Sequence, residues 1–192
     1  MKALIICASR YGSTEQIGRW MAERFQYEGF DIEVKKANEY FQLDVYELVV
    51  MGSGIYSHKV LPELASFAEQ RKGELNGKKI AIFGVAMKTT PVFHNGKIHG
   101  GIEHLVPLIE MFNGAVIHAD MLHGEMVPLK MTDRDRDGLH KFYKMLNLPD
   151  DEIQRRLSPR TLMDKREVWE FAETIIKKLK TPQSGGGHGT IE

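Results

Sequence analysis

The stretch Ser9-Arg10-Tyr11-Gly12-Ser13-Thr14 gathers four hydroxyls, a guanidinium and a glycine into six consecutive residues. It follows the apolar run Ala3-Leu4-Ile5-Ile6-Cys7 and leads into a helical pattern that begins near Glu15, which makes it a strand-to-helix turn. Such a turn holds a phosphate. Unpaired N–H groups at the start of the helix point at the anion, the helix dipole favours negative charge there, and Ser9, Ser13 and Thr14 add hydroxyl donors. Gly12 keeps a side chain out of the path of approach. The turn lacks the spaced glycines of a dinucleotide fingerprint and the Gly-Lys-Ser/Thr of a nucleoside-triphosphate loop, so both of those readings are excluded.

Two further polar stretches follow apolar runs. Gly52-Ser53-Gly54-Ile55-Tyr56-Ser57-His58 ends the third run, and Ala86-Met87-Lys88-Thr89-Thr90-Pro91 ends the fourth. The elements that must position them read as strands over Lys2–Cys7, Ile32–Lys36, Leu48–Gly52, Lys79–Val85 and Ala115–Ala119. Helical stripes alternate with them: Ile17, Met21 and Phe25; Leu61, Leu64, Ala65 and Ala68; Ile102, Leu105, Val106, Ile109 and Phe112; then Val168, Phe171, Ala172, Ile175, Ile176 and Leu179. This alternation predicts an α/β fold, a doubly wound five-stranded parallel sheet of order 2-1-3-4-5. Its ligand crevice lies at the carboxyl ends of strands one and three, which brings the Ser53 stretch beside the phosphate turn.

Residues 1–180 form the predicted domain, interrupted by an insertion over about residues 120–163 between strand five and the last helix. Leu139, Phe142, Tyr143 and Leu146 give that insertion an amphipathic segment, expected to pack on the parent domain. Residues 181–192, with Gly185-Gly186-Gly187, carry no pattern and are expected to be disordered.

Composition narrows the function further. Lys plus Arg equals Asp plus Glu at 26 each, so no global field recruits nucleic acid or an anionic membrane. The single cysteine, Cys7, lies in a strand and reads as a buried thiol in a reducing compartment. With neither a spanning apolar stretch nor a signal peptide in the pattern, a cytoplasmic location is expected, at most peripheral to a membrane. His94, His99 and His104 recur at intervals of five, which suits neither a helix face nor a strand face, so no metal is expected. His99 and His123 are candidates for a proton-donating role that position along the chain does not by itself assign. A phospho-acceptor receiver domain is excluded, because Ala8-Ser9 and Gly52-Ser53 stand where its magnesium-binding aspartates would be needed.

The phosphate turn resembles that of the flavodoxin family, Thr/Ser-x-Thr-Gly-x-Thr, as Ser9-x-Tyr11-Gly12-x-Thr14, with Tyr11 in place of the usual Thr. With the Gly52–Tyr56 match in register, the chain looks like a flavodoxin-fold flavoprotein from Met1 to about Lys178. It is most similar to the branch containing menaquinone-dependent protoporphyrinogen oxidase. Arginine as the second residue of the turn, and the position of the insertion before Asp164–Ala172, carry that narrower likeness.

The resemblance implies bound FMN, with Ser9, Arg10, Tyr11, Gly12, Ser13 and Thr14 at its phosphate. Ser53, Gly54, Ile55 and Tyr56 would cover the ring, with Tyr56 stacking and the Gly54 peptide free to flip. Ala86, Met87, Lys88 and Thr89 would line the other side, with Lys88 favouring a reduced, anionic ring. No side chain need be catalytic, because the cofactor performs the redox step. The implied partner is a quinone or a redox protein. Membrane contact through the insertion and a homodimer are further expectations. Acidic residues between Thr132 and Asp137 suit neither a porphyrin carboxylate nor an anionic membrane, which weighs against porphyrinogen as the substrate. The alternative function is an electron carrier with no small-molecule substrate, although carriers are commonly acidic and this chain is neutral.

Overall fold

The three central apolar runs that the sequence marks as strands, in Lys2–Ala8, Leu48–Tyr56 and Lys79–Ala86, are buried on both faces, so alternate residues feed two separate cores. The computed structural model describes residues 1–94 and 96–181; the expected disorder of the tail beyond Thr181 lies outside the described residues. Five parallel strands form the sheet: β1 (Lys2–Ala8), β2 (Asp31–Lys36), β3 (Leu48–Tyr56), β4 (Lys79–Ala86) and β5 (Val116–His123). Their order is 2-1-3-4-5, as the sequence predicts.

Helices α1 (Ser13–Tyr27) and α6 (Lys165–Lys180) cover one face; α2 (Pro62–Gln70) and α3 (Val106–Met111) cover the other. Ile5 and Val50 join Ile17, Met21, Phe25 and Ile175 in the first core, whereas Leu4, Ile6, Val49 and Met51 join Leu64, Phe67 and Leu108 in the second. Both cores converge on β1 and β3, which fixes their carboxyl ends as a rigid platform.

Four features differ from the sequence pattern. Strand β3 does not stop at Gly52; it runs on to Tyr56 and turns back through Ser57 and His58 onto Lys59–Val60, pairing Ile55 with Val60 and Tyr56 with Lys59. Ser57 and His58 have φ of 48° and 63°, the two positive angles of a two-residue hairpin, a geometry usually signalled by Asn-Gly and invisible in Ser-His. Strand β5 continues from Ala119 to His123, because Asp120 interrupts the apolar run on an edge strand without interrupting its pairing with β4. The inserted segment therefore starts at Gly124. The third helical stripe divides into a 3₁₀ turn (Gly101–His104) and α3, whose first turn holds Pro107; a residue without an N–H belongs at a helix start and not inside one.

The fourth difference lies in the insertion, which forms α4 (Asp133–Met145) and α5 (Asp150–Leu157). The amphipathic face of α4 is not core: no residue of the helix is fully buried, Leu139 and Tyr143 are half-buried, Phe142 is 38% exposed, and Leu146, just past the helix end, 53%. Only Ile153 of α5 is fully buried. A unit this short has too few apolar side chains to reach the parent core along its whole length. Among the described residues no helix is long and apolar enough to cross a membrane.

Gly52 illustrates how tightly the platform is built. A Cβ there would stand 2.0 Å from Cζ of Phe83, so the Phe83 ring lies directly on the glycine backbone. Gly52→Ala is expected to lower stability by about 1–3 kcal/mol, read from the urea midpoint. In a Phe83→Leu background the same change should cost clearly less. Simple additivity of the two substitutions would show that the ring contact is not the cause.

Candidate functional site

The turn between β1 and α1 is shaped by Gly12, which caps the helix at φ 102°. That left-handed angle is open to glycine at little cost. Ser9 accepts the Gly12 N–H at its hydroxyl (3.0 Å), closing the turn on itself. The first helical bond runs from the Gln16 N–H to the Gly12 carbonyl, so the N–H groups of Ser13, Thr14 and Glu15 precede any intrahelical acceptor. Thr14 is buried, and below it the Cys7 Sγ–H donates to the Thr14 carbonyl at 3.5 Å. Burial pushes the Cys7 thiol up to about 12, which makes it an inert part of the core.

The polar groups of the turn already hold anionic oxygens, supplied by the insertion. Arg10 Nη1 donates to both oxygens of Asp135 at 2.9 Å, and the Tyr11 hydroxyl donates to the same carboxylate. Ser13 Oγ donates to Glu125 Oε1 at 3.2 Å. Thr132 caps α4 by accepting the Asp135 N–H, while its own N–H donates to the Tyr11 hydroxyl at 3.4 Å. Hydrogen bonding from Tyr11, reinforced by Arg10, holds the Asp135 carboxyl below its ordinary range despite some opposing desolvation. For Arg10, burial opposes the charged form, but the bond and charge of Asp135 outweigh it and its pKa is raised. The side chains of the turn are thus paired with two carboxylates of their own chain.

The second stretch lies in β3 rather than in a loop. Tyr56 is half-buried, its hydroxyl pushed up to about 12 by burial, and the Arg10 guanidinium lies 4.4 Å from its ring centroid. The Tyr11 and Tyr56 rings are 6.2 Å apart. A Cβ on Gly54 would meet the Tyr56 ring at 2.9 Å, so the absence of a side chain lets Tyr56 fold back over the strand.

Ser53 does not serve the crevice through its side chain. It is fully buried, and its hydroxyl accepts the Leu61 N–H and donates to the Gly54 carbonyl, each at 2.8 Å. Its hydrogen-bonding capacity is used to fasten the hairpin to the start of α2. Ile55 and Tyr56 both pack against the α2-side core, and Gly54 and Tyr56 are the members of this stretch that also approach the turn, at Thr14 and Tyr11.

The third stretch leaves β4 at Ala86, with Met87 and Thr89 half-buried and Lys88 exposed. Thr89 Oγ1 lies 3.2 Å from His123 Nε2, and His123 Nδ1 lies 2.8 Å from Glu167 Oε1. The other Glu167 oxygen accepts the His123 N–H at 3.1 Å. Of the two proton-donor candidates, His123 therefore reaches this wall; the His94 and His99 side chains lie outside the described residues. Among the described residues no group of three His, Cys, Asp or Glu side chains is arranged to hold a metal ion.

Sequence reasoning missed Asp135, Glu125 and Glu167, each more than forty residues from its partner. One signal was present. The insertion leaves the carboxyl end of β5 and returns to the start of α6, so its ends must lie on the same edge as the phosphate turn.

A doubly wound 2-1-3-4-5 parallel sheet covered by helices on both faces places the molecule in the flavodoxin-like class of α/β proteins. The flavodoxin domain matches residues 4–132, and the chain belongs to that family. Its cofactor is FMN. The chain is similar to the flavodoxin of Maridesulfovibrio salexigens, 25% identical over 128 residues that make up 63% of this chain and 84% of the relative. Among solved structures it is similar to oxidised flavodoxin 2 of Bacillus cereus (TM-score 0.57, 16% identity, 93% of this chain and 99% of that one). Oxidised flavodoxin 1 of the same organism gives a TM-score of 0.56 at 18% identity over 92% of this chain and 98% of that one.

The residues present fit a phosphate, since Arg10, Tyr11 and Ser13 already donate to carboxylate oxygens that stand where an anion would. The same observation makes Asp135 a competitor. Asp135→Asn should strengthen FMN binding about tenfold, equivalent to about 1.4 kcal/mol, measured by fluorescence quenching of the free flavin. Unchanged or weaker binding would show that Asp135 supports the turn instead of occupying it.

Proposed function

We propose that the protein is an FMN-dependent oxidoreductase that passes electrons from a reduced donor to a quinone or another small neutral acceptor. The observation that carries this reading is the placement of α4. Asp135 binds Arg10 and Tyr11, and Phe142 meets His58 with ring centroids 6.1 Å apart. These residues are seven apart, two helical turns or about 10.5 Å along one face, so the helix runs from the phosphate turn to the hairpin beyond Tyr56. The flavodoxin domain match ends at residue 132, one residue before α4 begins.

In this reading the N–H groups of Ser13 and Thr14, the hydroxyls of Ser9 and Ser13, and the Arg10 guanidinium bind the phosphate. Gly12 shapes the turn. Tyr56 supplies an aromatic face once Arg10 turns to the phosphate, and the backbone from Ala86 to Thr89, with Met87 and Lys88, borders the other side. FMN, when bound, supplies the redox step, and the protein supplies orientation and exclusion of water. His58, His104 and Phe142 close the far end. The His104 Nδ1–H donates to the His58 carbonyl at 3.1 Å, and burial lowers the His104 pKa, favouring a neutral ring beside the apolar wall.

The menaquinone-dependent protoporphyrinogen oxidase branch is the narrower reading, supported by Arg10 and by the insertion. Asp133, Asp135 and Asp137 favour a neutral quinone over an anionic porphyrin at this mouth. Leu129, Met145 and Leu146 expose apolar surface on the insertion, suited to an apolar acceptor or to peripheral contact with a membrane. The free, buried Cys7 suits a reducing, cytoplasmic setting. A carrier remains the second reading, favoured by family membership itself.

Purified protein loaded with FMN should be reduced anaerobically and mixed with a soluble menaquinone analogue. Rapid reoxidation of the flavin, with multiple turnovers when a reductant is supplied, is the expected result. A bound flavin that is not reoxidised by quinones and gives up electrons singly to a redox protein would assign the carrier function instead.

A further inference from the structure

The Thr89–His123–Glu167 chain has no part in holding the phosphate, yet it ends at the wall assigned to the flavin ring. Strand pairing sets His123 beside Ala86, where β4 ends and the Ala86–Thr89 stretch begins. Both Glu167 oxygens are engaged by His123, one by the imidazole Nδ1 and one by the backbone N–H, so the ring is fixed in position and in tautomer. With Glu167 accepting from Nδ1–H, a neutral imidazole has only a lone pair at Nε2. The Thr89 hydroxyl must then donate to it, and only its oxygen lone pairs face elsewhere. A protonated imidazole reverses this bond: Nε2–H donates to Thr89 Oγ1, and the Thr89 hydrogen is released to the opposite side.

We propose that His123, positioned by Glu167, sets the hydrogen-bond polarity of Thr89 toward the flavin and thereby makes the flavin's redox potential sensitive to the charge of this imidazole. The proposal rests on the reading that Thr89 borders the ring. Only hydrogen bonds change; electrons come from an external reductant. An electron-rich reduced ring is favoured by a donating Thr89 hydroxyl, so protonated His123 favours reduction and neutral His123 does not.

The charged groups around the imidazole support the assignment. From α6 the facing group is Glu167. From the stretch after β4 it is the uncharged Thr89, while the neighbouring Lys88 is exposed. Asp120, three residues back on β5, lies on the opposite strand face, and Glu125 is engaged by Ser13.

The test is the midpoint potential of the FMN-loaded protein across about pH 5.5–8.5, in wild type, Thr89→Val, His123→Gln and the double variant, with binding followed by absorbance. The expected result is that Thr89→Val lowers the potential more at acid pH than at alkaline pH. In the His123→Gln background its effect should not vary with pH, and Thr89→Ser should restore the wild-type profile. A Thr89→Val effect of the same size at every pH in the wild-type background, with flavin bound, would overturn the proposal.

NMR titration of the His123 imidazole with the bound FMN oxidised and then reduced separates the underlying reading. Bound flavin whose reduction leaves this titration unmoved overturns the proposal while the flavin reading stands. A protein that does not bind FMN overturns both.

Discussion

A helix that begins where a buried parallel strand ends presents N–H groups that its own backbone cannot pair. In this protein that helix is α1, and the polar edge of the molecule is organised around its open end. The sheet supplies a dry platform on which β1 and β3 cannot shift, and Gly12 turns the chain so that the donors face outward together. Arg10, Tyr11 and Ser13 extend the donor set. Two carboxylates of the insertion, Asp135 and Glu125, answer it. The side-chain donors of this cluster are met by anionic groups of the chain itself.

The insertion follows from the same constraint. Its first helix has no fully buried residue, and the contacts that seat it include polar ones at the Asp135 end and aromatic ones at the Phe142 end. Exposed ion pairs are individually weak. The Arg10–Asp135 contact differs in that both carboxylate oxygens are engaged and Tyr11 adds a further donor. A phosphate at the turn would compete for these same donors, which would tie the position of α4 to the state of the site.

The sheet order and both cores were legible because uninterrupted apolar runs and three-four spacing leave few alternatives. The turn was legible because serine, glycine and threonine have narrow uses after a buried strand. What was hidden depended on pairs distant in sequence or on local geometry without a residue signature. Ser53 resembles a ligand-facing serine, yet its hydroxyl is consumed by Leu61 and Gly54. Ser57-His58 forms a tight hairpin without the usual Asn-Gly. Asp120 hides four residues of a strand, and no spacing rule links His123 to Glu167. The amphipathic face of α4 shows why periodicity alone misleads: it reports a helix with two unlike sides, not what the apolar side touches.

The most direct measurement of the central claim compares the affinities of FMN and riboflavin, which share the ring and differ in the phosphate. If the β1–α1 turn is the anchor, FMN binds at least about a hundredfold more tightly, equivalent to about 2.7 kcal/mol, and the difference narrows as salt is raised. Equal affinities at low salt would contradict the account, because the flavin would then be held without the turn.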